Sequence, residues 1–212
     1  MLIIQHPQEP DKLLGSARIA HLALPNSTLK IALSCPNLKV ALGREAVPSR
    51  WAVLYLGSGI KSSDVAKVRP EDVAAKNAPQ PALVFVNKKG EALPSIEATK
   101  AKADLEGIII LDGTWSQAKT LWWRNAWLLK CRRLVLMPQA RSMYKELRKE
   151  PRRECLSTIE SISLTLKSLG ESDATANGLN DLFGHLLDRA RKKPAKTAPS
   201  AAPAPAAPIA QS

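Results

Sequence analysis

Asp112, Thr114 and Trp115 stand within four residues of one another, directly after the apolar run Ile108–Leu111. A carboxylate, a hydroxyl and an indole at one chain reversal make a compact chemical set. Held against the indole in a partly apolar pocket, the Asp112 carboxylate becomes a better general base. Left in solvent, Asp112-Gly113 is a turn pair and nothing more. Spacing alone keeps both readings open. Thr114 and Gln117, like Ser157 and Glu160, also fit the Ser/Thr-x-x-Glu/Gln capping box that opens a helix. Capping accounts for these four residues, yet a helix N-terminus also presents backbone N–H groups to a carboxylate or another anion.

The elements around this set are predicted from periodicity. Gly107–Leu111 carries three β-branched isoleucines and suits a strand buried on both faces. After the turn, Trp115, Ala118, Trp122, Ala126 and Leu129 recur at three- and four-residue steps, which predicts a helix running to Leu129. A strand, a sharp polar turn and a helix in succession place the turn at the carboxyl edge of an open α/β sheet, where ligands bind. Further strands are expected at Leu2–Ile4, at residues 29–33, at Trp51–Leu56 (closed by Gly57-Ser58-Gly59), at Ala82–Val86 and at Arg133–Met137. Asn87–Gly90 reads as a hairpin or loop. Helices are expected from Asp11 to before Pro25, from about Pro70, from Ser157 to Gly170 and from Asn177 to Arg191. Their mostly alternating order predicts a single α/β domain with a mostly parallel sheet over residues 1–191. Residues 192–212 are Lys, Pro, Ala and little else, and are expected to be a disordered tail.

The net charge of +12 is concentrated. Residues 119–153 hold 11 Lys/Arg against 2 Asp/Glu, so three quarters of the excess follows the Asp-Gly-Thr-Trp turn directly. A phosphate-backbone partner accounts for such concentration better than solubility does. Four of the five tryptophans fall between Trp115 and Trp127. Trp122 and Trp123 are adjacent and cannot share a helix face, so at least one of Trp122, Trp123 and Trp127 turns outward, where it can stack on a nucleobase. Cys35, Cys131 and Cys155 are isolated, which indicates neither a disulfide framework nor a zinc cage. His6 reads as a structural histidine. No run reaches the length of a membrane span and no signal core is present, so a soluble cytoplasmic protein is expected.

Taken together, the motifs resemble the DTW-domain family, named for Asp-x-Thr-Trp, here Asp112-Gly113-Thr114-Trp115. Gln-His-Pro-x-Glu is matched by Gln5, His6, Pro7 and Glu9, and Leu-Tyr-x-Gly by Leu54, Tyr55 and Gly57. Ser142, Tyr144, Arg148, Lys149 and Pro151 match Ser-x-Tyr with its following Arg-Lys-x-Pro, and Leu156–Glu160 matches Leu-Ser-Thr-Ile-Glu. Five motifs in order cover residues 2 to 170. The resemblance implies a SPOUT-like domain with a C-terminal trefoil knot, which sequence physics alone does not predict. It implies tRNA-uridine aminocarboxypropyl transfer, in which S-adenosylmethionine (SAM), as co-substrate, gives its 3-amino-3-carboxypropyl arm to N3 of a loop uridine in tRNA and leaves as methylthioadenosine. On that reading Asp112 removes the N3 proton or holds the SAM ammonium, and Trp115 packs on the sulfonium arm. Thr114 meets the carboxylate, and Leu54, Tyr55, Gly57, Leu156, Ser157 and Thr158 frame the cofactor. Arg141, Lys145, Arg148, Lys149, Arg152 and Arg153 bind tRNA, with the lysine-rich tail adding affinity. Relatives often carry a cysteine cluster ahead of Gln-His-Pro, and this chain begins at Met1 just before that motif; no metal is expected. Leu56 stands where relatives tend to have proline. Nothing calls for an obligate protein partner. A SPOUT-type RNA methyltransferase and a non-catalytic RNA-binding module are the competing functional readings.

Overall fold

Six short apolar segments pair into one sheet, and their alternation of side chains decides what covers each face. The structure is a computed structural model describing residues 1–10, 15–54, 83–136, 143 and 156–192. The strands are β1 (Leu2–Gln5), β2 (Thr28–Ile31), β3 (Trp51–Leu54), β4 (Leu83–Val86), β5 (Gly107–Asp112) and β6 (Arg132–Leu136), in the order β2-β1-β5-β3-β6-β4. Every pairing is parallel except β4 with β6, so the expected mostly parallel sheet is present with one antiparallel edge strand.

Parallel strands buried on both faces divide their residues between two cores. Leu2 and Ile4, Trp51 and Val53, and Ile109 and Leu111 face one core. Its cover comes from α2 (Leu38–Leu42), α4 (Trp115–Arg124) and a 3₁₀ turn at Ala126–Lys130. Ile3, Ala52, Ile108 and Ile110 face the other core, covered by α1 (Ser16–Ala23), α3 (Ser95–Ala103), α5 (Thr158–Leu169) and α6 (Asp173–Lys192). Gly107 lies opposite Trp51 in the β3–β5 register, and a Cβ on it would stand 2.6 Å from the indole. Only glycine leaves room for that ring.

The helix expected to reach Leu129 ends at Arg124. Asn125 stops it, because its buried side chain donates to Leu121 O (2.7 Å) and Leu33 O (3.2 Å) and so competes with the helix backbone. Asn125 Oδ1 also accepts from Cys35 N (2.8 Å) and Trp127 Nε1 (3.3 Å). The 3₁₀ turn that follows inserts Trp127 and Leu128 into the core. The last helix begins at Asp173, four residues before the expected Asn177, where the Ser172 hydroxyl takes the Thr175 N–H (3.3 Å). α1 ends before Pro25 as expected but starts at Ser16, with the non-helical Gly15 before it, so no continuous helix runs from Asp11, and Lys192, the first residue of the expected tail, is still in α6; the helix from Pro70 and the tail from residue 193 lie outside the described residues. The 87–90 turn is a tight connection, with Asn87 Oδ1 accepting from Lys89 N and Glu91 N.

Cys35 and Cys131 are buried free thiols, and burial pushes the Cys131 thiol up to about 12. Cys155 lies outside the described residues. No described helix is long and apolar enough to cross a membrane.

Asn125→Ala is expected to cost about 2–4 kcal/mol, since it strands more than one buried hydrogen-bonding group. A urea titration followed by circular dichroism measures this; a change below about 0.5 kcal/mol would show that Asn125 does not hold this corner together.

Candidate functional site

The crossover from β1 to β2 runs through α1 on one face of the sheet, and the crossover from β5 to β6 runs through α4 on the other. Since β1 and β5 are neighbours, their connections part at the carboxyl edge, to opposite faces of the sheet. Ligands of open α/β sheets bind at such a switch point.

Gln5 and Asp112 are the last residues of these two strands and lie side by side in register. Parallel pairing therefore delivers an amide next to a carboxylate. Gln5 Nε2 donates to Asp112 Oδ2 (2.8 Å), and the Thr158 hydroxyl donates to Asp112 Oδ1. Both Gln5 and Asp112 are buried. The pairing continues one step further, with His6 N donating to Asp112 O (3.0 Å).

Two helices begin at this carboxylate, and both begin as their sequences predict. Thr114 Oγ1 accepts from Gln117 N (3.4 Å) while Gln117 Oε1 accepts from Thr114 N (2.7 Å), a complete capping box for α4. Ser157 and Glu160 form the same box on α5, with Glu160 Oε2 accepting from Ser157 N (2.8 Å). The other Glu160 oxygen accepts from Met143 N (2.6 Å), tying the preceding chain to α5. The positive ends of both helix dipoles thus converge on a buried anion. Gly113 makes the approach possible. Its φ is +157°, and a Cβ there would stand 2.9 Å from Gln117 Cβ and 3.5 Å from His6 Cβ. Gln117 Nε2 then reaches Gln8 Oε1 (3.2 Å), so the loop after β1 closes over the start of α4.

Of the residues singled out from sequence, Asp112 and Thr158 touch, and Thr114, Trp115 and Ser157 lie at the two helix starts beside them. Trp115 is half-buried, and Ser157 is buried with its hydroxyl engaged as a cap. Leu156 immediately precedes Ser157 and is half-buried. Leu54 ends β3, the strand on the other side of β5. Tyr55, Gly57, Arg141, Lys145, Arg148, Lys149, Arg152 and Arg153 lie outside the described residues. His6 fits its structural reading, its Nδ1 accepting from Gln8 N (3.3 Å). Among the described residues no cluster of three or more His, Cys, Asp or Glu could hold a metal ion.

Gln5 carries a role that residue patterning did not assign. The available signal was a polar residue closing an apolar strand run just before His6-Pro7. Part of the basic excess, by contrast, serves the fold. Arg132 pairs with Asp104 (2.5 Å), and Arg133 lies 5.3 Å over the Trp122 ring and donates to Lys88 O (2.7 Å).

The sequence pattern of the DTW domain matches residues 1–191. The chain belongs to the DTW-domain family. This DTW domain is 26% identical over 183 residues to tRNA-uridine aminocarboxypropyltransferase 2 of Macaca fascicularis, an alignment covering 82% of this chain and 48% of that protein. It is 35% identical over 66 residues to the protein of the same name from Mus musculus, covering 31% of this chain and 22% of that one. The chain therefore spans about half the length, or less, of these curated relatives. No solved structure gives a significant match to the DTW domain.

The Gln5–Asp112 contact is testable as a coupling. Gln5→Ala is expected to cost about 1–3 kcal/mol with Asp112 present and less than half of that in an Asp112→Ala background, by urea titration of the double-mutant cycle. Equal costs in both backgrounds would mean that the two side chains act independently.

Proposed function

We propose that this DTW domain transfers the 3-amino-3-carboxypropyl arm of SAM to N3 of a loop uridine in tRNA and releases methylthioadenosine. The observation that carries this reading is the family's motif aspartate at the sheet's switch point, buried, with a donor on each carboxylate oxygen. The names of its relatives support the same reaction.

The residues suit the donor's chemistry. An aminocarboxypropyl arm presents an ammonium, a carboxylate and, at its far end, a sulfonium. Asp112 offers the ammonium a fixed negative charge. The first turns of α4 and α5 offer the carboxylate N–H dipoles, and Thr114 offers it a hydroxyl. The Trp115 ring offers the sulfonium a π face. Bound SAM supplies an activated carbon, so that the N3–C bond forms as the C–S bond breaks and the electron pair leaves on sulfur.

The protein's own contribution is orientation. Three carbons flank the sulfonium and the methyl is the least hindered, so selectivity requires the longer arm to be held in line with N3. Gln5 and Thr158 fix the Asp112 carboxylate, and through it the arm. Held on both oxygens by Gln5 and Thr158, the carboxylate is a fixed partner for a cation, and we assign Asp112 the role of ammonium anchor. The uridine N3–H is weakly acidic and loses its proton to solvent once the base is unpaired and splayed into the site. Leu54, Tyr55, Gly57 and Leu156–Thr158 frame adenosine, and Arg141, Lys145, Arg148, Lys149, Arg152 and Arg153 hold tRNA phosphates. A SPOUT-like knotted arrangement, a catalytic unit over residues 1–191, a disordered tail beyond Lys192 and a cytoplasmic location complete the reading, which for these points rests on the family resemblance and on composition.

Mass spectrometry of tRNA nucleosides after incubation with protein and SAM is expected to find aminocarboxypropyluridine, at least about 100-fold reduced by Asp112→Ala. Asp112→Asn is expected to weaken SAM binding about tenfold or more, since it removes a charge-assisted contact. A methylated product would replace the proposed reaction with methyl transfer. Unchanged SAM affinity in Asp112→Asn would move Asp112 from anchor to base.

A further inference from the structure

The outward face of α4 is a line of residues that the fold does not use. Ser116, Lys119 and Trp123 follow one another at three- and four-residue steps, and all three are exposed. Trp123 is 79% exposed, while its neighbour Trp122 turns inward against the core beneath Arg133. Burying an indole is favourable, so leaving the largest side chain of the helix in solvent costs stability that a partner can recover.

The surroundings of Trp123 select that partner. Lys119 and Arg124 on the same helix, and Lys130 on the 3₁₀ turn that follows, are exposed, and no Asp or Glu occurs between Asp112 and Glu146. Five positive charges, those of Lys119, Arg124, Lys130, Arg132 and Arg133, lie within residues 115–133, and that of Arg132 is paired with Asp104. A second copy of the same cationic face would be repelled, whereas a polyanion is attracted. An exposed flat aromatic ring on a cationic helix suits one polyanion in particular, a nucleic-acid strand with unpaired bases, because each base has a π face and each linkage a phosphate. The line also has a direction. It starts at Ser116 in the first turn of α4 and reaches Trp123 about 10 Å along the helix.

We propose that Trp123 is a stacking platform for an unpaired base of the RNA substrate, with Lys119, Arg124 and Lys130 holding the adjoining phosphates as the strand leaves the Asp112 site along α4. This rests on the reading of the domain as a tRNA-modifying enzyme and adds the surface that orients the loop.

The test uses the full chain, unmodified tRNA and, separately, SAM. Trp123→Ala is expected to weaken tRNA binding roughly 5- to 100-fold, as loss of one stacked base does, with the salt dependence unchanged and Trp123→Phe restoring most of the affinity. Lys119→Gln and Arg124→Gln are each expected to lower the slope of log affinity against log salt by about one unit. SAM affinity, read by calorimetry, is expected to stay at the wild-type value in all four variants. Trp123 is exposed, so its variants keep the wild-type melting temperature. Wild-type tRNA affinity in Trp123→Ala overturns the proposal, as does a tryptophan-dependent change in oligomeric mass without a change in RNA affinity. The proposed reaction fails separately, if wild-type protein binds tRNA through Trp123 and yields no aminocarboxypropyl product.

Discussion

The structure depends on the in-register parallel pairing of β1 with β5. That pairing sets Gln5 beside Asp112, so a strand-end amide meets a strand-end carboxylate across 107 residues of sequence. A slip of one residue would turn Gln5 onto the opposite face of the sheet, and would carry Leu2, Ile3 and Ile4 into the wrong cores with it. Burial of three aliphatics thereby enforces the position of one polar contact.

Around that pair the elements are arranged by what a buried anion needs. Thr158 reaches it from the start of α5, and α4 begins three residues after it. Both helices are capped by their own side chains, so their first turns are fixed before any ligand arrives. Gly113 lets the chain turn tightly enough to keep the loop after β1 against α4. The opposite edge of the sheet is held by an ion-pair group of Arg50, Asp104, Glu106 and Arg132. The ion pairs and the Gln5–Asp112 contact thus lie at opposite ends of the same strands.

How much of this was legible in the sequence follows from how local each signal is. The passage from β5 through the turn to α4 and both capping boxes involve residues within a few positions of each other, and each is present as read. The outward tryptophan followed from helix geometry alone. Gln5 was not assigned, because its role exists only once two distant strands pair. α3 gave no periodic signal, since Ala101 is its one buried residue and Ile96 is exposed. α2 is five residues long, too short for periodicity, although Asn37 capping its start and Gly43 at φ +73° after its end mark it. Asn125 ended α4 early through contacts to Leu33 and Cys35, some 90 residues away, which no local pattern reports.

The central claim is that the Gln5–Asp112–Thr158 corner grips the aminocarboxypropyl donor. The most direct measurement is a crystal structure of the protein with SAM. The account predicts the donor's ammonium within hydrogen-bonding distance of the Asp112 carboxylate and its carboxylate against the first turn of α4 or α5. A donor bound elsewhere on the sheet, with Asp112 enclosed by protein side chains alone, would contradict it.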